Sequence, residues 1–195
     1  MPVGEKSRMP RAARNNPSCA VGDVIRIPRA FSRAECEEII AFRAGLECRG
    51  DRFLNYGEIR GASEVCWLEQ DKAPRWLRQR LLELMRNAVK RFDFDISDPL
   101  ENFKLIKYRL GNRVQWHVDC GGGQADTRKL TLTVLLSPAD SFEGGNLTLA
   151  TPHSELHRNI GDAVIFPAFL VHKVSTIKRG TRHVLVTWAH GPRFR

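Results

Sequence analysis

The sequence predicts a mainly β domain with flanking helices, on three observations. Beyond Asn102 the chain breaks into six short apolar or alternating runs separated by Gly, Pro and Asn, the texture of an antiparallel sandwich or barrel rather than of βαβ units. Before Asn102 lie two stretches whose apolar residues recur at three- and four-residue steps, the helical period. The 195 residues suffice for one domain with a sizeable core and are few for two.

Residues 1–18 carry Lys6, Arg8, Arg11 and Arg14 with almost no apolar periodicity, and read as a flexible basic arm ahead of one domain over 19–195. Residues 23–28 read as a short strand closed by Pro28. Ser32 and Glu35 form a capping-box pattern, after which Cys36, Ile39, Ile40 and Ala44 share a helical face. Residues 50–61, rich in Gly and charge, read as a loop. Pro74 suits a first helical turn, and Leu77, Leu81, Leu84, Met85, Ala88 and Phe92 make the strongest helical stripe, with Arg75, Arg78, Arg80, Arg86, Lys90 and Arg91 on its wet side. The strand-like runs are 103–110, 114–118, 130–136, 146–150, 163–166 and 183–188, giving a β core over about 103–190.

Composition sets limits. A hydrophobic fraction of 42% and a charged fraction of 27% are those of an ordinary soluble protein, and no apolar run approaches the roughly 20 residues of a membrane span. The N-terminus lacks the apolar block of a secretory signal, so a cytoplasmic address and no membrane contact are expected. Five scattered cysteines without a C-x-x-C pair are expected to be reduced thiols. The net charge of +9 is read as a basic solvated surface, with nucleic acid or an acidic protein as the alternative partner.

His117-Val118-Asp119 sets two metal-capable side chains two residues apart at the end of a strand, where alternation projects both to one side. His172 follows the strand-like 163–166. Two imidazoles and one carboxylate leave three octahedral positions open, the arrangement of non-heme Fe(II) oxygenases. An H-x-D pair alone is more often two unrelated polar residues. Its weight here comes from Arg182, which alternation places on one face with Val184, Val186 and Trp188. An arginine pointing into a core requires an anion, supplied either by a carboxylate ligand or by a protein Asp or Glu.

Together, Tyr108-Arg109-Leu110-Gly111, Trp116-His117-Val118-Asp119, the run from Arg128 through Leu130-Thr131-Leu132 to Ser137, Glu143-Gly144-Gly145-Asn146-Leu147, Gly161-Asp162-Ala163, His172-Lys173-Val174 and Gly180-Thr181-Arg182 resemble the core of the prolyl 4-hydroxylase branch of the 2-oxoglutarate/Fe(II) dioxygenases, especially its small bacterial PKHD-type members. The resemblance implies a double-stranded β-helix, the cupin-like jelly roll, with helices packed outside. It implies His117, Asp119 and His172 as iron ligands and Arg182 as partner of the distal 2-oxoglutarate carboxylate. Collagen-type animal members often use lysine there, so arginine sets the chain nearer the bacterial and oxygen-sensing type. Tyr108 matches a tyrosine that bonds the co-substrate, and Thr131 falls on the strand lining its pocket. Leu135 stands where some relatives carry a second tyrosine.

The implied cofactors are Fe(II), 2-oxoglutarate and O2, with ascorbate as accessory. The implied reaction hydroxylates an amino-acid side chain, in a peptide or in a free amino acid or small metabolite, while 2-oxoglutarate becomes succinate and CO2. An AlkB-like demethylase of nucleic acid is the first rival. Such enzymes carry a second arginine six residues after the first, where this chain has Trp188. A non-catalytic cupin-like binding module is the second.

The remaining candidates read plainly. His183 alternates away from Arg182 and lies outside the barrel, His153 and His157 sit in a polar loop, and His190 is in the tail. Trp116 and Trp188 are core aromatics, with Trp116 directed away from His117. Cys120 is an inert thiol beside Asp119. Glu143 to Gly145 is a tight turn between strands. Residues 52–67, including Tyr56, Arg60 and Ser63, are loop-like and cover the barrel mouth as the substrate-selecting region.

Overall fold

The computed structural model describes residues 24–55, 58–150, 156 and 159–194, with side chains 51–62 and Gln124 left out. The basic arm, Tyr56, His153 and His157 lie outside the described residues, and so does the side chain of Arg60. In chain order the strands are β1 (Ile25–Ile27), β2 (Cys48–Asn55), β3 (Glu58–Leu68), β4 (Phe103–Tyr108), β5 (Arg113–His117), β6 (Arg128–Leu135), β7 (Phe142–Gly144), β8 (Leu147–Leu149), β9 (Ala163–Pro167), β10 (His172–Val174), β11 (Ile177–Gly180) and β12 (Arg182–His190). The helices are α1 (Arg33–Ala41) and α2 (Arg75–Phe92).

The α1 cap forms as the sequence requires: the Glu35 amide donates to Ser32 Oγ at 3.2 Å and the Ser32 amide donates to the Glu35 carboxylate at 2.7 Å. Cys36 and Ile39 are buried, whereas Ala44 falls in a 3-10 turn (Phe42–Gly45) and stays exposed, so the helix ends before the apolar pattern does. α2 follows Pro74 and buries Leu77, Leu81, Met85, Ala88 and Phe92, the predicted stripe.

One antiparallel sheet runs β1-β9-β6-β12-β4-β3-β5-β10-β8, with β2 on β3, and a two-stranded sheet joins β7 to β11. The fold-over occurs in β3, which pairs with β4 through Glu64 to Leu68 and with β5 at Gly61 and Ala62. Strand alternation then divides the interior into two cores. Leu130, Leu132, Val134, Ile165, Leu185 and Ala189 face α1 and α2, while Leu135, Val164, Phe166, Val184, Val186 and Trp188 face into the roll. Both faces of the central strands are buried, which is why they read as near-continuous apolar runs. This is a jelly roll with flanking helices, as expected.

Three expectations are corrected. The 50–61 "loop" is the β2–β3 hairpin: its polar residues pair from Cys48↔Cys66 to Asn55↔Glu58 with a register shift after Phe53, and β3 is held by β5 at Gly61 and Ala62 and by β4 from Glu64 onward rather than by its own propensity. Cys48 and Cys66 are not reduced thiols but a disulfide, with Cα atoms 4.3 Å apart across that register. A spacing of 18 residues carried no sign of this. Among the described residues Cys36 and Cys120 are free, and burial pushes the Cys36 thiol up to about 12. His190 is not in a tail but ends β12, where its Nε2 meets Glu101 at 2.9 Å and its Nδ1 meets Thr127 Oγ1 at 2.8 Å.

His183, which alternates away from Arg182 and does not line the cavity, is half-buried beside Ser137. Burial pushes its pKa down to about 4, and Arg43, Lys107 and Arg109 act in the same direction against Glu64. The unfolded chain therefore binds a proton between pH 6.5 and 4 that the native protein excludes, and stability falls as pH drops through that window. His183→Asn should remove about 1 kcal/mol of this acid loss at pH 5, well under the full linkage value because the ring keeps contact with water. Urea titrations at pH 7 and pH 5 measure it; an unchanged pH dependence refutes the assignment.

Candidate metal centre and adjoining cavity

The alternation that aims His117 inward is helped by an irregularity in the ladder. β10 pairs with β5 as His172↔His117 and then as Val174↔Val114, a step of two against three that marks a β-bulge. Val114 and His117 both face inward as a result, and Trp116 is turned out, 40% exposed under the Lys173 ammonium at 4.6 Å. Trp116 is therefore not a core aromatic. Its direction away from His117 is as expected.

His117, Asp119 and His172 present one ligand atom each within 4.8 Å of one another. His117 Nε2 lies 3.6 Å from Asp119 Oδ1, and His172 Nε2 lies 3.6 Å from Asp119 Oδ2. Each Nδ1 meets a backbone carbonyl, that of Gln115 at 2.8 Å and that of Leu170 at 2.9 Å. A carbonyl oxygen can only accept, so both Nδ1 atoms carry the proton and both Nε2 lone pairs converge on Asp119. The His172 ring is further held edge-on against Phe166, with centroids 5.0 Å apart.

The electrostatics agree with that geometry. Burial alone would raise the Asp119 pKa, but His172, His117 and the Thr131 hydroxyl hold the carboxyl far below its usual range. Burial lowers His172, opposed by Asp119, so this imidazole stays neutral. For His117 burial also acts downward, and the hydrogen bond and charge of Asp119 outweigh it, so its pKa is raised. Two imidazole nitrogens and an ionised carboxylate fit an octahedral Fe(II) that keeps open positions.

Thr131 takes a part the sequence did not assign. It lies on the inner face of β6 as expected, and its Oγ1 donates to Asp119 Oδ2 at 2.7 Å. Its visible work is on the carboxylate beside it. Thr131→Val keeps the volume, strips the carboxylate of that donor, and should weaken divalent-metal binding about tenfold, with Thr131→Ser restoring it. Competition against a chromophoric chelator reads this directly; wild-type affinity in Thr131→Val rules the role out.

The trio opens into a cavity of about 500 Å³. Arg182 and Tyr108 are cross-strand partners at one end of β12, 2% and 4% exposed, with the guanidinium 5.4 Å from the phenol ring centroid. Burial pushes Arg182 down to about 10, opposed by Tyr108, so it is a cation at neutral pH. Val184 and Val186 line the wall between, as alternation predicted. Leu135 contributes an apolar surface beside Val184. Glycine is required at 145, where φ is +65° and a Cβ would stand 2.4 Å from Ile177 Cδ1 and 2.9 Å from Arg182 Cδ. Gly145→Ala should displace the arginine stem and lower 2-oxoglutarate affinity about fivefold at a stability cost of about 1–2 kcal/mol. Calorimetry on the variant checks both, and unchanged affinity counts against the packing argument.

At the other end of β12, Trp188 opposes Thr131, and the cavity wall includes Trp67, Lys104 and Arg128. Trp67 is 44% exposed, so this end is the mouth. Trp188 is buried as expected, and Arg128 stands over it with Cζ 3.7 Å from the ring centroid. Glu101 accepts from Arg128 Nε and Nη2, both at 2.8 Å, and also holds His190. Sequence reasoning missed this brace because Glu101 and His190 fall outside every periodic run. Trp67, from the region named as substrate-selecting, does reach the mouth, and Ser63 on the same strand is buried. Cys120 lines the cavity, and burial raises its pKa, in keeping with an inert thiol.

Residues 103–190 match the family model described as the 2OG-Fe(II) oxygenase superfamily. A PKHD-type hydroxylase of Crocosphaera subtropica is 39% identical over 96 residues, covering 47% of this chain and 43% of that protein. One of Prochlorococcus marinus is 36% identical over 118 residues, covering 57% and 53%. The chain thus spans about half the length of the curated relatives it matches. A solved prolyl-4-hydroxylase of Pseudomonas putida superposes with a TM-score of 0.68 at 17% identity, covering 89% of this chain and 95% of that one. A prolyl hydroxylase of Trichoplax adhaerens, in complex with a hypoxia inducible factor peptide fragment, gives 0.68 at 14% identity, covering 86% and 83%. These two likenesses show the jelly roll. No helix among the described residues is long and apolar enough to cross a membrane. Over residues 103–190 the chain is similar to the 2OG-Fe(II) oxygenase superfamily, and about half of it is similar to PKHD-type hydroxylases.

Proposed function

We propose that this chain is an Fe(II)- and 2-oxoglutarate-dependent oxygenase that hydroxylates an amino-acid side chain, with a prolyl residue in a peptide as the first candidate. The observation that carries the reading is the convergence of His117, Asp119 and His172 on the wall of a cavity whose far end holds buried, cationic Arg182. The prolyl preference rests on what the names of the structural neighbours say of those proteins.

In this reading His117 and His172 offer Nε2, and Asp119 a carboxylate oxygen, to iron. The Nδ1 bonds to Gln115 and Leu170 keep both rings in the ligating tautomer, and Thr131 keeps Asp119 oriented and ionised. Arg182 pairs with the distal carboxylate of 2-oxoglutarate through its planar fork, with Tyr108 beside it. Val184, Val186 and Phe166 exclude water from the channel between the two ends. Bound iron with 2-oxoglutarate and O2 supplies the oxidising power for C–H hydroxylation, with succinate and CO2 as co-products. The protein's own task is to bind, orient and shield.

The test is succinate formation from 2-oxoglutarate with Fe(II) and O2, combined with mass spectrometry for a +16 Da product over prolyl peptides, other peptides and free amino acids. Running it with and without ascorbate checks the accessory role. Absence of any 2-oxoglutarate turnover, together with no His117-dependent iron binding, would leave the binding-module reading. Oxidative demethylation of nucleic acid is not favoured, since Trp188 stands where that reaction's second arginine belongs and is braced by Arg128.

A further inference from the structure

We propose that the outward face of α2 is a docking surface for the phosphate backbone of a nucleic acid. With about 100° of rotation per residue, Arg75, Arg78, Arg86 and Lys90 fall within one arc of about 120°, which adjoins the buried stripe at Arg78 and turns away from it toward Lys90. All four side chains are exposed. None takes part in an ion pair among the described residues, whereas Arg43, Arg80 and Arg128 face Glu64, Glu35 and Glu101 within 3.3 Å. Glu83 stands at the margin of the arc, and Asp98 lies across the adjoining groove, where its Oδ1 accepts from the Leu100 amide.

That groove, of about 380 Å³, runs between α2 and the Pro99–Leu100 segment and is lined by Gln70, Arg78, Gln79, Leu82 and Arg86. Two guanidiniums and a pair of amides around a shallow concavity are donors for phosphate and sugar oxygens. The lining contains no aromatic ring on which a base could stack, so the contact carries no sequence preference. An acidic polypeptide is the competing occupant. The net charge of +9 and the single acid of α2, Glu83, against its six Lys and Arg residues favour a dense polyanion over it. The surface is separate from the cavity, and the proposal does not depend on which substrate is oxidised.

The test is fluorescence anisotropy of the full-length chain with a fluorescein-labelled 20-nucleotide poly(U) and, in a second arm, a 20-base-pair DNA duplex. Micromolar binding at 50 mM NaCl is expected, weakening about fiftyfold at 200 mM if four cations engage a single strand. Arg78→Glu with Arg86→Glu should weaken binding at least tenfold and flatten the salt dependence. Arg78→Gln with Arg86→Gln is the gentler pair should the reversal unfold the helix, and Lys178→Glu with Arg179→Glu on β11 should change affinity less than twofold. Absence of binding at 50 mM overturns the proposal. So does an equal loss in the β11 variant, which would make net charge the cause. Displacement of the RNA by poly-L-glutamate at equal charge concentration assigns the face to an acidic polypeptide instead and also overturns it.

Discussion

Asp119→Ala abolishes succinate formation and lowers Fe(II) or Mn(II) affinity by about a hundredfold or more, beyond the cost of losing an outer-shell partner. The size of the effect follows from what the carboxylate does. It is the charged member of the trio and lies 3.6 Å from both imidazole Nε2 atoms, so its loss removes a ligand and the negative charge that makes the site a cation site. The rise in melting temperature that saturating metal gives the wild-type protein vanishes as well, because stabilisation by a ligand scales with its affinity for the folded state. Asp119→Asn separates the two contributions: it keeps the shape, loses the charge and should retain only a trace of affinity. A variant at this position with wild-type metal binding refutes the metal centre.

Arg182→Met should leave metal affinity within about twofold and weaken 2-oxoglutarate binding on the order of a hundredfold, since each hydrogen bond to a charged partner is worth about 1.5–3 kcal/mol and the fork makes two. Arg182→Lys keeps the charge but replaces a planar fork by a point charge and should recover part of the affinity, to about tenfold below wild type. Calorimetric titration of the Mn(II)-loaded protein with 2-oxoglutarate under anaerobic conditions reads both. If glutarate, which carries the same carboxylate spacing without the keto group, loses affinity in parallel, the arginine acts on the distal carboxylate. If Arg182→Met binds 2-oxoglutarate like the wild type, the assignment fails, whatever becomes of the metal trio.

Much of this site was legible before any coordinates because strand alternation carries direction. His117 and Asp119, spaced by two, and Arg182 in line with Val184, Val186 and Trp188, could be assigned to one interior face from period alone, and all of them line the cavity. The two helices were equally legible: the stripe from Leu77 to Phe92 and the Ser32 and Glu35 cap are local patterns that need no distant partner. Residues 50–61 were not, because the β2–β3 strands have no apolar alternation of their own and exist by pairing with each other and with β4. Trp116 was misplaced in burial and not in direction: alternation turned it away from His117, but on that side it stays 40% exposed under Lys173 rather than entering a core.

The sequence by itself determined the helices, the strand texture, the chemical types of the candidate metal-binding trio and the inward arginine, since these depend on local period and residue chemistry. Only the tertiary structure decided what the side chains do to one another. It set both imidazoles on backbone carbonyls and the Thr131 hydroxyl on Asp119. It also joined Cys48 to Cys66 and braced Arg128 between Glu101 and Trp188. Each of those is a contact between residues on separate strands or their connecting loops, or a hydrogen bond fixed by a bulged backbone, and registers and bulges are settled by which strands pair.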